Sequence, residues 1–182
     1  AESDVLKYYE RAEAVSDARN VAALATGRRF DLATNNWIAD LAAVEKAGLR
    51  FDPEFGLSGG EDTDFSRRAH KAGLQLGWVS NAIVTEEVPA ERLSAAYISE
   101  RARAQSITKF HMMKAEDPSR AKIKAVVQIV TKGISGAIRI AFSPILGSYS
   151  YHRGIRALGI AQGFLAGMRG QGQARYTQVT GE

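Results

Sequence analysis

Beyond Pro118 the apolar and polar positions sort at helical spacing. Lys124, Gln128, Thr131, Lys132, Ser135 and Arg139 fall on one stripe, while Val126, Val127, Ile129, Val130, Ile134, Ile138 and Phe142 cover the rest of the turn. The pattern predicts an amphipathic helix whose apolar side either lies in a bilayer interface or packs on a protein core. Its charges interrupt the run of roughly 18 apolar residues that a crossing requires, which favours lying in the membrane plane over spanning. After a break at Pro144-Ile145-Leu146-Gly147, Gly159, Gly163 and Gly167 recur on one helical face, a spacing that lets helices approach closely. Together the two segments predict a membrane-interfacial helical hairpin over 118–170, with 171–182 as a flexible C-terminus.

Upstream the pattern alternates. Helices are expected at Ser3–Ala14, at Trp37–Ala47 closed by Gly48, at Asp62–Ala72 closed by Gly73, and from Glu91 to about Met113. Val21–Gly27 reads as a small-residue strand or helix. Leu49–Pro53 reads as extended, and Leu74–Val79 and Ala82–Val84 as strands separated by Ser80-Asn81. Asp117-Pro118 marks the edge of the tail. This alternation implies an α/β fold, although the strands are too few for a complete nucleotide-binding domain. Residues 1–117 therefore read as part of a larger domain. A first residue that is Ala rather than Met suggests a processed or excised piece, and no secretory signal is visible.

Charge changes the picture mainly in the tail. The chain carries a formal net charge of +4, yet the stretch from Arg120 to Arg175 holds Lys and Arg with no Asp or Glu. An anionic membrane surface is the expected partner for it. A nucleic-acid module ranks lower, because no aromatic platform or binding motif accompanies the charge. With no Cys, structural disulfides, thiolate nucleophiles and cysteine-held zinc are excluded. His70, His111 and His152 show no mutual metal-ligand spacing.

The densest chemistry lies in Gly59-Gly60-Glu61-Asp62-Thr63-Asp64-Phe65. Two glycines deliver three carboxylates to the first turn of a helix, whose unsatisfied N–H groups and dipole favour negative charge. Such a group beside open space can take a proton from a hydroxyl. The alternative is a plain helix cap at Asp62 or Thr63. Asn35 and Asn36 offer amides that can both donate and accept hydrogen bonds or simply form a turn.

The ordered series Thr34-Asn35-Asn36, Leu49-Arg50-Phe51-Asp52, Gly59 to Phe65, Arg68, Gly73, then Ala82 to Pro89, Arg92, Arg101 and Arg103 resembles inverting glycosyltransferases of family two. It looks most like the succinoglycan-type branch of bacterial polysaccharide enzymes, and the resemblance runs from about Asp31 to Phe110. It implies the acceptor and base half of a GT-A fold over 1–117, followed by the amphipathic helical tail. By resemblance, Asp62 is the general base, Glu61 orients the acceptor or tunes Asp62, and Gly59 and Gly60 let sugars approach the backbone. Asn35, Asn36, Arg92 and Arg103 become substrate-binding candidates, the arginines toward diphosphate or as anchors of their helix. Glu86 falls where related enzymes place a residue near the site that is a metal ligand in other branches. Here it is either a ligand or a solvated carboxylate.

The implied partners are a nucleotide-sugar donor and a glycan or lipid-linked acceptor. The complete enzyme is expected to use a divalent metal, Mg or Mn, with none clearly bound by this chain alone. No Asp-x-Asp element precedes Asp31, so the isolated chain is expected to be inactive or very weak. The implied location is the cytoplasmic face of a bacterial inner membrane, peripheral or monotopic. A non-catalytic membrane-surface module is the alternative.

Overall fold

The computed structural model describes residues 2–28, 31–55 and 59–172. Among these, every regular element is helical: α1 (Glu2–Ala25), α2 (Leu41–Lys46), α3 (Glu61–Lys71), α4 (Ala95–Glu116), α5 (Pro118–Ala141), α6 (Ser143–Leu146) and α7 (Ser148–Met168). Short 3-10 turns stand at Pro53–Phe55 and Ala90–Arg92. The described residues fall into two compact units, one of 2–10 with 88–172 and one of 11–87, so that α1 belongs to both.

The expected α/β architecture is overturned. Among the described residues there is no strand and hence no sheet, and the GT-A reading, which requires one, falls with it. Val21–Ala25 completes α1. Leu74–Val79 and Ala82–Val84 run without ladder pairing around the turn at Ser80-Asn81, where Ala82 N–H donates to the Val79 carbonyl at 3.2 Å. Val79, Ile83 and Val84 remain exposed. Alternating side chains prepare a face, but a strand exists only when a neighbour takes its N–H and C=O groups.

In the smaller unit, α2 begins later than its apolar pattern suggests because Asp40 Oδ1 accepts from the N–H groups of Ala42 and Ala43 at 3.0 and 3.2 Å. Trp37 is thereby released from the helix into an aromatic group with Phe51 and Phe65. α3 closes as its sequence predicts: Gly73 sits at φ 79°, and Leu74 N–H reaches back to the Ala69 carbonyl at 3.0 Å. The core here is Leu49, Phe65 and Ala69, with Leu32, Val44, Leu74 and Leu76 packed around it.

In the larger unit, α4, α5 and α7 pack pairwise. Ser94 caps α4 by accepting from Tyr97 N–H at 3.1 Å, which places its start after Glu91. Asp117 caps α5 through Ser119 and Arg120 N–H, with Pro118 in the first turn, where a missing N–H costs nothing. The junction at Pro118 is thus a turn between two helices of one unit. The glycines of α7 seat it on α4: a methyl added at Gly159 or Gly163 would run into the backbone carbonyls of Ser99 or Arg103, and one at Gly167 into Phe110. Gly136 and Gly154 give α5 and α7 the same close approach. Phe110, Ala121, Ala125 and Phe164 form the core between them.

The face of α5 that packs differs from the face its apolar residues mark. Ala121, Ala125 and Gly136 are its buried positions, and only Ile129 of the apolar set packs against that core. Small residues win the inward side because close helix contact excludes large ones. Of the residues assigned to a flexible C-terminus, 173–182 lie outside the described residues.

Candidate functional site

The start of α3 gathers the acidic residues. Gly59 and Gly60 both have positive φ, 72° and 101°, and Gly60 stands at the N-cap with ψ 6° and no side-chain cap. Two consecutive left-handed residues bend the chain sharply into the helix, a path that side chains with a Cβ rarely follow. Glu61, Asp62 and Asp64 then occupy the first turn.

Their surroundings separate these carboxylates. Asp64 is buried, and its Oδ1 accepts from Arg67 Nη2 at 2.8 Å while Oδ2 accepts from Arg68 Nε at 2.7 Å. Burial pushes the Asp64 carboxyl up, but the hydrogen bonds and charges of the two arginines outweigh it and hold it below its ordinary value of 3.8. Arg68 continues from Nη2 to the Arg50 carbonyl at 2.6 Å, tying α3 to the segment that carries Phe51. Asp64 is therefore a structural ion. Asp62 is half-buried, and its Oδ1 takes the Thr63 N–H at 2.6 Å. That bond fixes the carboxylate at the helix start, whereas Arg67 and Arg68 occupy Asp64. Ser66 locks the same turn: its hydroxyl donates to the Asp62 carbonyl at 2.7 Å and accepts from Leu32 N–H at 2.8 Å. Glu61 is half-buried beside Asp62.

The other expected residues divide between the units. Asn36 is exposed and its Nδ2 donates to the Ala82 carbonyl at 2.7 Å, so one of its two donors already braces the unit. Asn35 is exposed next to it. Glu86 lies exposed on an extended segment. Among the described residues no group of three or more His, Asp or Glu side chains is placed to hold a metal ion. Arg92 and Arg103 belong to the larger unit. Arg103 is held by Glu100 Oε1 at 3.1 Å and Gln171 Oε1 at 3.2 Å, and Arg92 offers its backbone carbonyl to the Tyr9 hydroxyl at 3.3 Å.

Trp37 was not among the expected site residues. Its ring meets Phe65 edge-on at 5.7 Å and Phe51 at 5.9 Å, and Phe51 stacks on Phe65 at 4.7 Å. Phe65 is the buried base of this group, whereas Trp37 and Phe51 keep more than a third of their surface exposed. An indole in that state offers an apolar face and an N–H to a polyhydroxylated ring. Its position directly after Asn35-Asn36 is the signal that was available in the sequence. A cavity of about 450 Å³ in the same unit is lined by Arg19, Asn20, Arg28 and Asp31 among others and does not include Asp62. Residues 56–58, which lead into Gly59, lie outside the described residues.

Compared with known proteins, the chain is 42% identical over 59 residues to the succinoglycan biosynthesis protein ExoM of Rhizobium meliloti (strain 1021). The match covers 32% of this chain and 19% of that protein. The chain is thus similar, over about a third of its length, to a protein of polysaccharide biosynthesis, and it matches less than a fifth of that relative. No family model matches it, and no solved structure does.

Proposed function

We propose that this chain supplies the acceptor-activating part of a sugar transferase that builds a bacterial polysaccharide, of the inverting family-two type. The supporting observation is the separation of the acidic cluster: Asp64 is consumed by Arg67 and Arg68, while Asp62, two residues earlier, accepts from the Thr63 amide at the helix start. The partial likeness to a succinoglycan biosynthesis protein supports the substrate class.

In this reading the Asp62 carboxylate takes the proton of an acceptor hydroxyl as that oxygen attacks the anomeric carbon of the donor. The new glycosidic C–O bond forms while the bond to the nucleotide diphosphate breaks, and the diphosphate leaves with its electron pair. One base on the face opposite the leaving group is sufficient for inversion. The Thr63 N–H bonds Oδ1, and in this reading Oδ2 takes the proton. In the same reading Asn35, Asn36 and the Trp37 ring bind sugar hydroxyls and ring faces.

The test is Asp62→Asn in the protein as the cell makes it. Membranes are supplied with radiolabelled UDP-hexoses, and label in glycan is counted. Loss of a general base lowers transfer by about 100- to 10,000-fold, with the unfolding midpoint unchanged. Undiminished transfer removes Asp62 from the mechanism. The second reading, a membrane-surface module without catalysis, is favoured by one observation, the exposed apolar side of α5. It predicts no transfer from any donor.

A further inference from the structure

α5 is amphipathic twice over. Its packed side is the stripe Ala121, Ala125 and Gly136. On the opposite side stand Ile123, Val126, Val127, Val130, Ile134 and Ile138, each between 49% and 66% exposed. At 100° per residue these six centre almost diametrically across the helix from the buried stripe, and from Ile123 to Ile138 they extend about 22 Å. A face of that length and composition left in water marks an interaction surface. Phe142, Ile145 and Leu146, at the end of α5 and in α6, are exposed as well.

We infer that this outer face of α5 lies flat in the interface of an anionic bilayer. The inference stands independently of the sugar-transfer reading. Charge selects the occupant. Lys122 and Lys124 stand 100° to either side of Ile123, and Arg120 lies between Lys124 and the apolar centre. All three are exposed. No Asp or Glu occurs from 120 through 172. Long cationic side chains flanking an apolar stripe reach the headgroup layer while the stripe enters the acyl boundary. A second copy of this face would instead bring like charges together, with no acidic residue on α5 to answer them. No helix among the described residues is long and apolar enough to cross a membrane, which leaves the in-plane mode.

The test is sedimentation of the chain with vesicles of phosphatidylcholine alone and of phosphatidylcholine with 30% phosphatidylglycerol, at low and high salt. Binding is expected only with phosphatidylglycerol and is expected to weaken with salt. Val130→Glu with Ile134→Glu should reduce it at least about tenfold, and Lys122→Glu with Lys124→Glu by at least about fivefold per residue. Because the substituted positions are exposed, circular dichroism should match the parent. Val130→Gln with Ile134→Gln gives a milder version should the glutamates disturb folding. Unchanged binding by folded apolar-face variants overturns the inference. So does equal binding to neutral vesicles, or a dimer in sedimentation velocity that these variants dissociate, which would make the occupant a second copy.

Discussion

Asp64 and Arg68 stand one turn apart on α3, joined from Nε to Oδ2 at 2.7 Å, and the same guanidinium holds the Arg50 carbonyl. This pairing commits Asp64 to holding α3 in place. It also makes α3 the brace of its unit, since Phe65 and Phe51 stack across the same junction.

Asp64→Ala should destabilise the protein by about 3 kcal/mol. That is the lower end for breaking a buried ion pair, because both arginines keep about a third of their side-chain surface in water. Urea denaturation measures it. Asp62→Asn, which keeps the oxygen that accepts from Thr63 N–H, should move the midpoint little. A reversed order of the two effects would mean that the roles of the carboxylates have been exchanged.

The same pair sets an acid limit. The folded-state pKa of Asp64 lies below its ordinary 3.8, so its contribution is fully present above that value and is lost as pH falls through the folded pKa. Thermal melts from pH 6 to pH 2 should show a steeper fall below about pH 4 than the Asp64→Asn variant shows. Parallel curves would exclude Asp64 as the cause.

Gly163→Ala and Gly133→Ala should act in opposite directions. At Gly163 the added methyl meets the Arg103 backbone carbonyl and Ser106 Cβ, neither of which can yield without parting α4 from α7. The expected cost is about 1–3 kcal/mol. Gly133 has open space around it, and Ala there should stabilise by up to about 1 kcal/mol through helix propensity. Calorimetry distinguishes the two signs.

Trp37→Ala tests the aromatic face. If the indole receives an acceptor sugar, acceptor KM should rise about tenfold, the cost of roughly 1.4 kcal/mol of lost stacking and apolar contact, with donor KM unchanged. A variant that alters only stability assigns Trp37 to packing alone.

The local features were legible because each is settled within one or two turns of chain. The stop at Gly73, the break at Asp117-Pro118, the acidic first turn of α3 and the glycine spacing of α7 all depend on neighbours in sequence. Where a nearby cap intervenes or a distant partner is missing, the pattern misled. The helix read from Trp37 starts at Leu41 because Asp40 caps it, and Trp37 goes to Phe51 and Phe65 instead. Leu74–Val79 and Ala82–Val84 have strand composition and no strand beside them. In α5 the helix contact forms on Ala121, Ala125 and Gly136, a choice the large apolar residues do not signal.

The amino-acid order alone determined that this chain would be rich in capped helices, that its tail would be cationic, and that carboxylates would crowd the start of α3. Those properties follow from residue type and short spacing. Only the tertiary structure decided that Arg68, paired with Asp64, would reach the Arg50 carbonyl, that Trp37 would stand half open beside Asn36, and that α5 would turn its valines and isoleucines outward. Each of these depends on a group far along the chain or on how closely two backbones can approach, and neither is encoded in the periodicity of a single segment.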